Sequence, residues 1–211
     1  MTVKQIARQS LRAERAEVTR RRIAESARRL FAANGYAATT LESIAFEAGV
    51  AVQTVYAVYR SKAGILRALR ESVLHDQAAE ALFEQAILEP QPVRKLELLA
   101  SSIRQRWEHG HDIVGFHTEA GRADATVRRE VQQVVGARRA GLARIAALIS
   151  GSLARAIDRE QAMAILDAMT LPEVYQDLVV QHGWKPDQYE AWLAATLSSQ
   201  LLAKRSSSSR R

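Results

Sequence analysis

Residues 39–62 read Thr39-Thr40-Leu41-Glu42-Ser43-Ile44-Ala45-Phe46-Glu47-Ala48-Gly49-Val50-Ala51-Val52-Gln53-Thr54-Val55-Tyr56-Ala57-Val58-Tyr59-Arg60-Ser61-Lys62. Leu41, Ile44, Ala45 and Ala48 fall on one helical face, and Thr40 stands where an N-cap belongs. A short helix is therefore predicted over about 41–48, with Gly49 supplying the turn that ends it. A second follows over about 52–58, with Val55 turned inward and Gln53, Thr54 and Tyr56 outward. Val50 fills the angle between the two helices, and the small Ala45 lets them cross closely. Two short helices joined by a tight glycine turn form a helix-turn-helix. Such a unit can lay its second helix in a DNA major groove, where residues near that helix's N-terminus reach base edges.

Outward from this stretch the signals are helical throughout. Ile23, Ala27, Leu30 and Phe31 mark a buried stripe on a helix from about Ala13 to Asn34, stopped by Asn34-Gly35. Residues 1–13, with Lys4, Arg8 and Arg12, read as a flexible basic arm, which leaves 14–61 as the helix-turn-helix domain. A connecting helix over 62–85 carries Ile65, Leu66, Leu69 and Val73 on one face. Pro90 and Pro92 mark a seam. Beyond it helices are predicted at about 93–109, 113–121, 124–150, 158–181 and 186–204, with breaks at Gly110, Gly151 and Gly183 and a kink or split at Pro172. Residues 86–204 thus form a larger second domain, and 205–211, mostly serine and arginine, read as a disordered tail. No segment alternates at period two, so the expected fold class is all-α.

Charge is divided along the chain. Residues 1–70 carry a balance of +8, residues 71–203 carry −5, and the last eight carry +4. A basic head on a mildly acidic body suits a phosphate-binding domain joined to a separate one. Of the 211 residues none is cysteine, which excludes disulfides, thiolate metal sites and a cysteine nucleophile. No stretch approaches the roughly 18 consecutive apolar residues of a membrane span, and a cytoplasmic address is expected.

Thr39-Thr40-Leu41, Ile44-Ala45, Ala48-Gly49-Val50, Thr54-Val55-Tyr56, Tyr59, Ser61-Lys62 and Leu66 together resemble the DNA-binding signature of the TetR (tetracycline-repressor-like) family. The resemblance implies an N-terminal three-helix DNA-binding domain and a larger helical domain that binds a small molecule and dimerises. It implies that Thr40 and Tyr56 meet the phosphate backbone and that Lys62 adds a charge-assisted phosphate contact. Gln53 and Thr54 would face base edges, and Arg60 would serve backbone or base. Tyr59 is read instead as a core aromatic. Two positions depart from the family's habit. Ala51 replaces the usual Ser and so removes a side-chain N-cap, and Val58 replaces a frequent His or Tyr.

One recognition helix reads only a few base pairs, so a homodimer on a palindromic operator in double-stranded DNA is expected, its heads about 34–36 Å apart. Ile165, Met169, Val174 and Leu178, with Trp192, Leu193, Leu197 and Leu201, give the last two long helices the apolar faces for that contact. By the resemblance an unknown small-molecule effector releases the repressor, with Trp107, His111, Phe116, His117 and Tyr175 as candidate lining, alongside Leu99, Ile103 and Met163. An activator or an effector-independent regulator of the same fold is the alternative. His109, His111, Asp112, His117 and Glu119 invite a metal, but the i, i+4 pairing of a helical site is missing, so neither metal nor cofactor is expected. No nucleophile elbow, phosphate loop or paired carboxylates can be placed, and the chain is not expected to be an enzyme.

Overall fold

The computed structural model describes residues 3–203, with side chains from Arg12 onward. The expected tail at 205–211 lies outside these residues, as do the side chains of Lys4 and Arg8. The helices are α1 (Val3–Ala38), α2 (Leu41–Glu47), α3 (Val52–Tyr59), α4 (Lys62–Leu74), α5 (Gln77–Leu88), α6 (Pro92–Ala123), α7 (Ala125–Leu148), α8 (Arg159–Met169), α9 (Pro172–Tyr175) and α10 (Pro186–Leu201). Among the described residues there is no strand, only an isolated bridge between Leu153 and Leu202. The fold is all-α.

Three boundaries differ from the sequence-based expectation, each for a local reason. The arm expected to be loose is helical backbone from Val3 and runs straight into α1, whose regular conformation breaks at Gly35 (φ 80°) as the Asn34-Gly35 stop predicts. The helix expected over 62–85 is two helices. The Asp76 carboxylate caps α5 by accepting from the Ala78 and Ala79 amides at 3.0 and 3.1 Å. The helices expected at 93–109 and 113–121 are one, because Gly110 is a packing glycine and not a breaker: a Cβ there would lie 2.5 Å from both Val73 methyls. The split expected at Pro172 is present, separating α9 from α8, and after α9 the chain winds through a π-helical turn at Gln176–Gln181.

The chain divides into two compact units. The first holds residues up to Ser72 together with Asp112–Arg129, so the end of α6 and the start of α7 belong with the helix-turn-helix. Its core is Ile23, Ala27, Phe31, Ile44, Ala45, Ala48, Val55, Ile65 and Leu66, with Ile113, Phe116 and Val127 from the later segment. The second unit holds Val73–His111 and the chain from Glu130 onward. There Leu96, Leu99, Trp107, Leu142, Ile145, Leu166 and Tyr189 are buried.

Leu193, Leu197 and Leu201, expected to face a second subunit, are wholly buried inside this one. The heptad-like spacing identifies an apolar face but cannot say whose core it fills. Exposed small side chains on these helices are Ala164 and Ala168 of α8 and Ala191 and Ala195 of α10.

Candidate nucleic-acid interface

The helix-turn-helix is held together by local backbone chemistry. Thr40 caps α2, its hydroxyl accepting from the Ser43 amide at 3.1 Å while Ser43 Oγ accepts from the Thr40 amide at 3.2 Å. This is a reciprocal capping box in which Ser takes the place usually held by Glu or Gln. Gly49 turns the chain with φ 60°, and the Val50 amide reaches back to the Ala45 carbonyl at 3.0 Å. As the sequence predicts, Ala51 starts α3 without a side-chain cap. Gly64 is fixed by space: a Cβ there would stand 2.0 Å from the Tyr59 carbonyl oxygen.

Val55 and Tyr59 are buried, and these two anchors set the rotation of α3. Gln53, Tyr56, Ala57 and Arg60 then lie together on its exposed face, with Thr54 half-buried at the edge. Half of the Tyr56 surface faces solvent. Tyr59 points the other way, as read from the sequence. Its hydroxyl donates to the Arg20 carbonyl at 2.9 Å, and the Arg20 guanidinium lies 5.9 Å from its ring centroid. Burial raises the Tyr59 phenol pKa, with the Arg20 charge opposing. Arg60 caps α3 with φ 64°, the sole non-glycine positive φ among the described residues. α1 exposes Arg12, Arg15, Arg20, Arg21 and Arg22, and Arg22 Nη2 donates to the Gly49 carbonyl at 3.4 Å.

Lys62 stands apart from the rest of the predicted set. Its ammonium donates to the carbonyls of Tyr36, Ala37 and Thr39 at 2.6, 3.1 and 2.7 Å. All three protons are committed inside the unit, where they satisfy carbonyls at the end of α1. Partial desolvation lowers its pKa, with Glu119 opposing.

The five residues considered for an effector separate. Phe116 and His117 are buried in the first unit, Phe116 edge-on to Phe31 at 5.6 Å. Trp107, His111 and Tyr175 lie in the second. The His111 and Tyr175 rings are 5.5 Å apart, and Trp107 Nε1 donates to the Thr170 carbonyl at 3.0 Å. Sequence reading passed over Tyr189, which is fully buried, edge-on to Tyr175 at 4.9 Å, and has no hydrogen-bond partner for its hydroxyl among the described residues. Burial moves its phenol pKa strongly upward. One tyrosine in the first turn of an amphipathic helix gives no sequence signal for that position.

The histidines of α6 do not converge. In each of His109, His111 and His117, Nδ1 lies within 3.1 Å of the carbonyl four residues back, which orients the ring along its own helix. Among the described residues no group of three or more His, Asp and Glu could hold a metal ion, and no helix is long and apolar enough to cross a membrane.

A second helix seated by buried Val55 and Tyr59, with its polar face open and exposed arginines on α1, is the arrangement of a helix-turn-helix DNA-binding protein. Residues 23–69 match the model of the bacterial regulatory proteins of the tetR family, and over that segment the chain is similar to that family. A sequence comparison with curated proteins gives no match. The fold is shared with NalD, the secondary repressor of the MexAB-OprM multidrug efflux pump in Pseudomonas aeruginosa, at 23% identity and TM-score 0.66 over 90% of this chain and 99% of that one. It is also shared with the ketosteroid regulator KstR2 of Mycobacterium tuberculosis (18%, TM-score 0.67, 88% and 95%). The Bacillus subtilis regulator FadR, solved in complex with stearoyl-CoA, is similar at 20% identity and TM-score 0.65 over 84% and 97%.

Proposed function

We propose that this protein is a cytoplasmic, homodimeric repressor that binds a palindromic operator and is released by a small-molecule effector. The observation that carries the reading is the exposed stripe of Gln53, Tyr56 and Arg60 on a helix locked from behind by Val55 and Tyr59. Thr40, Tyr56 and Arg60 contact the backbone; Gln53 and Thr54 read bases, Gln suiting adenine and the Thr methyl suiting thymine. The arginines of α1 extend the phosphate contact.

Dimerisation through α8 and α10 is supported by their exposed small side chains, Ala164, Ala168, Ala191 and Ala195, which let helices approach closely. A repressor and a regulator with bound stearoyl-CoA among the solved relatives are in keeping with effector control. Within the second unit an effector acts at the aromatic group of Trp107, His111, Tyr175 and Tyr189, where a buried hydroxyl awaits a partner. The open groove lined by Arg94, Glu97, Ser101, Arg104, Glu190 and Ser198 is a poorer candidate. Its charges already answer one another, Arg104 bonding Glu108 at 2.6 Å and Glu190 at 2.9 Å.

The test is selection of duplexes from a random library by the purified chain, with sedimentation of the same sample. A palindromic consensus bound by a dimer of twice the 23.4 kDa chain mass is expected. An unenriched pool overturns the DNA-binding reading, and a monomer bound to one half-site overturns the dimer.

A further inference from the structure

Residues 35–39, the last turn of α1 beyond its break at Gly35 and the step toward α2, are held from opposite sides by opposite charges. From α6, the Glu119 carboxylate accepts from the Tyr36 and Ala37 amides, both at 2.9 Å. From α4, the Lys62 ammonium donates to the carbonyls of Tyr36, Ala37 and Thr39. The N–H side of this peptide thus belongs to one helix and the carbonyl side to another. The Tyr36 ring completes the clamp, with the ammonium 4.4 Å from its centroid and the Phe31 ring at 5.1 Å.

Two further contacts of α6 lie on the same helical face as Glu119. Asp112 accepts two bonds from Arg28, at 2.7 and 2.6 Å, and Phe116 packs edge-on against Phe31. Asp112, Phe116 and Glu119 recur at i, i+4 and i+7, so one stripe of α6 grips the last turns of α1. Gly35 permits the grip through its φ of 80°, a conformation that residues with a Cβ rarely adopt. The residue that leaves the clamp is Thr40, the N-cap on which α2 begins.

We propose that Lys62 and Glu119 are positioning residues for DNA binding, fixing the 36–39 peptide and through it Thr40 and the helix-turn-helix, and that Lys62 makes no phosphate contact. The inference rests on the DNA-binding reading above and names how that site is controlled. Displacement of α4 or α6 bears directly on this peptide, because each helix holds one of its two hydrogen-bonding edges.

The experiment measures affinity of the full chain for its selected duplex across a salt series, for wild type, Lys62→Met, Glu119→Gln and the double variant. Amide exchange at Tyr36 and Ala37 is followed in parallel. Each single variant is expected to bind about tenfold more weakly with the salt slope of wild type, since no released counterion is lost. The double variant loses less than the product of the singles, because both act on one peptide. Glu119→Gln also speeds exchange of the two amides well below its unfolding temperature, a local effect that a general loss of stability does not produce.

A Lys62→Met slope lower by about one phosphate overturns the assignment and returns Lys62 to the backbone contacts. Glu119→Gln does not depend on Lys62→Met folding, and wild-type affinity in that variant also overturns the inference. Wild-type protein that binds no duplex sinks the functional reading instead, which keeps the two failures apart.

Discussion

Gly110 of α6 and Val73 of α4 meet so closely that a Cβ on the glycine would lie 2.5 Å from both valine methyl carbons. Both residues are buried, so neither side has solvent to move into. Gly110→Ala therefore faces two opposing effects. The helix interior gains roughly 1 kcal/mol from replacing glycine, while overpacking a closed contact costs about 1–3 kcal/mol. Overpacking wins. Denaturant titration should show Gly110→Ala destabilised by about 1 kcal/mol, and adding Val73→Ala should remove the penalty of the added methyl relative to Val73→Ala alone. Equal cost of Gly110→Ala in both backgrounds would show that the contact is not tight.

Tyr56 and Tyr59 stand three residues apart with opposite duties, and their phenylalanine variants should separate them. Tyr59→Phe removes the hydroxyl that donates to the Arg20 carbonyl and should cost about 1 kcal/mol of stability by thermal or chemical unfolding. Tyr56→Phe removes an exposed hydroxyl and should leave stability within about 0.5 kcal/mol while weakening binding to every duplex alike. The reverse pattern would exchange their roles.

Arg60 combines a positive φ with a charge on the proposed DNA face. Arg60→Gly should relieve about 1 kcal/mol of backbone strain and raise the unfolding midpoint. The same variant should weaken DNA binding and lower the salt slope by about one ion. A protein more stable yet poorer at binding is the expected outcome. A slope equal to wild type would place the guanidinium away from the phosphates.

Glu119 gives a pH dependence whose sign follows from its partners. The Ala37 and Tyr36 amides bond the charged carboxylate and, ahead of the opposing desolvation, lower its pKa from 4.5. A carboxylate with a folded pKa below its unfolded one stabilises above the unfolded value and loses that contribution as pH falls through the folded value. Wild type should therefore exceed Glu119→Gln in stability near neutrality, and the gap should close as pH drops below about 4.5. A gap constant with pH would mean that the charge is not what holds the two amides.

Much of the head was legible before any tertiary structure. Thr40, Gly49, Ala51, Val55 and Tyr59 behave as the sequence predicts because caps, turns and helical faces depend on residues within one or two turns. The body was harder to read for the same physical reason. Gly110 looks like a helix stop in sequence, and only the methyls of Val73, far away along the chain, make it a packing residue. Leu193, Leu197 and Leu201 announce an apolar face without saying which surface covers it. Tyr189 is set apart from an ordinary amphipathic tyrosine by burial alone.

Periodicity and capping are local properties, so the all-helical class, the helix-turn-helix at 39–62 and the outward Gln53 and Tyr56 of its second helix follow from the order of residues. Tertiary structure alone decided what the charges do. Lys62 reads as a phosphate ligand by position, yet its protons go to the carbonyls of Tyr36, Ala37 and Thr39. Glu119, set aside with a metal cluster in the sequence, holds the opposite edge of that peptide. A charged group takes the nearest partner that satisfies it, and nearness across 26 or 82 residues of chain is fixed only when the helices pack.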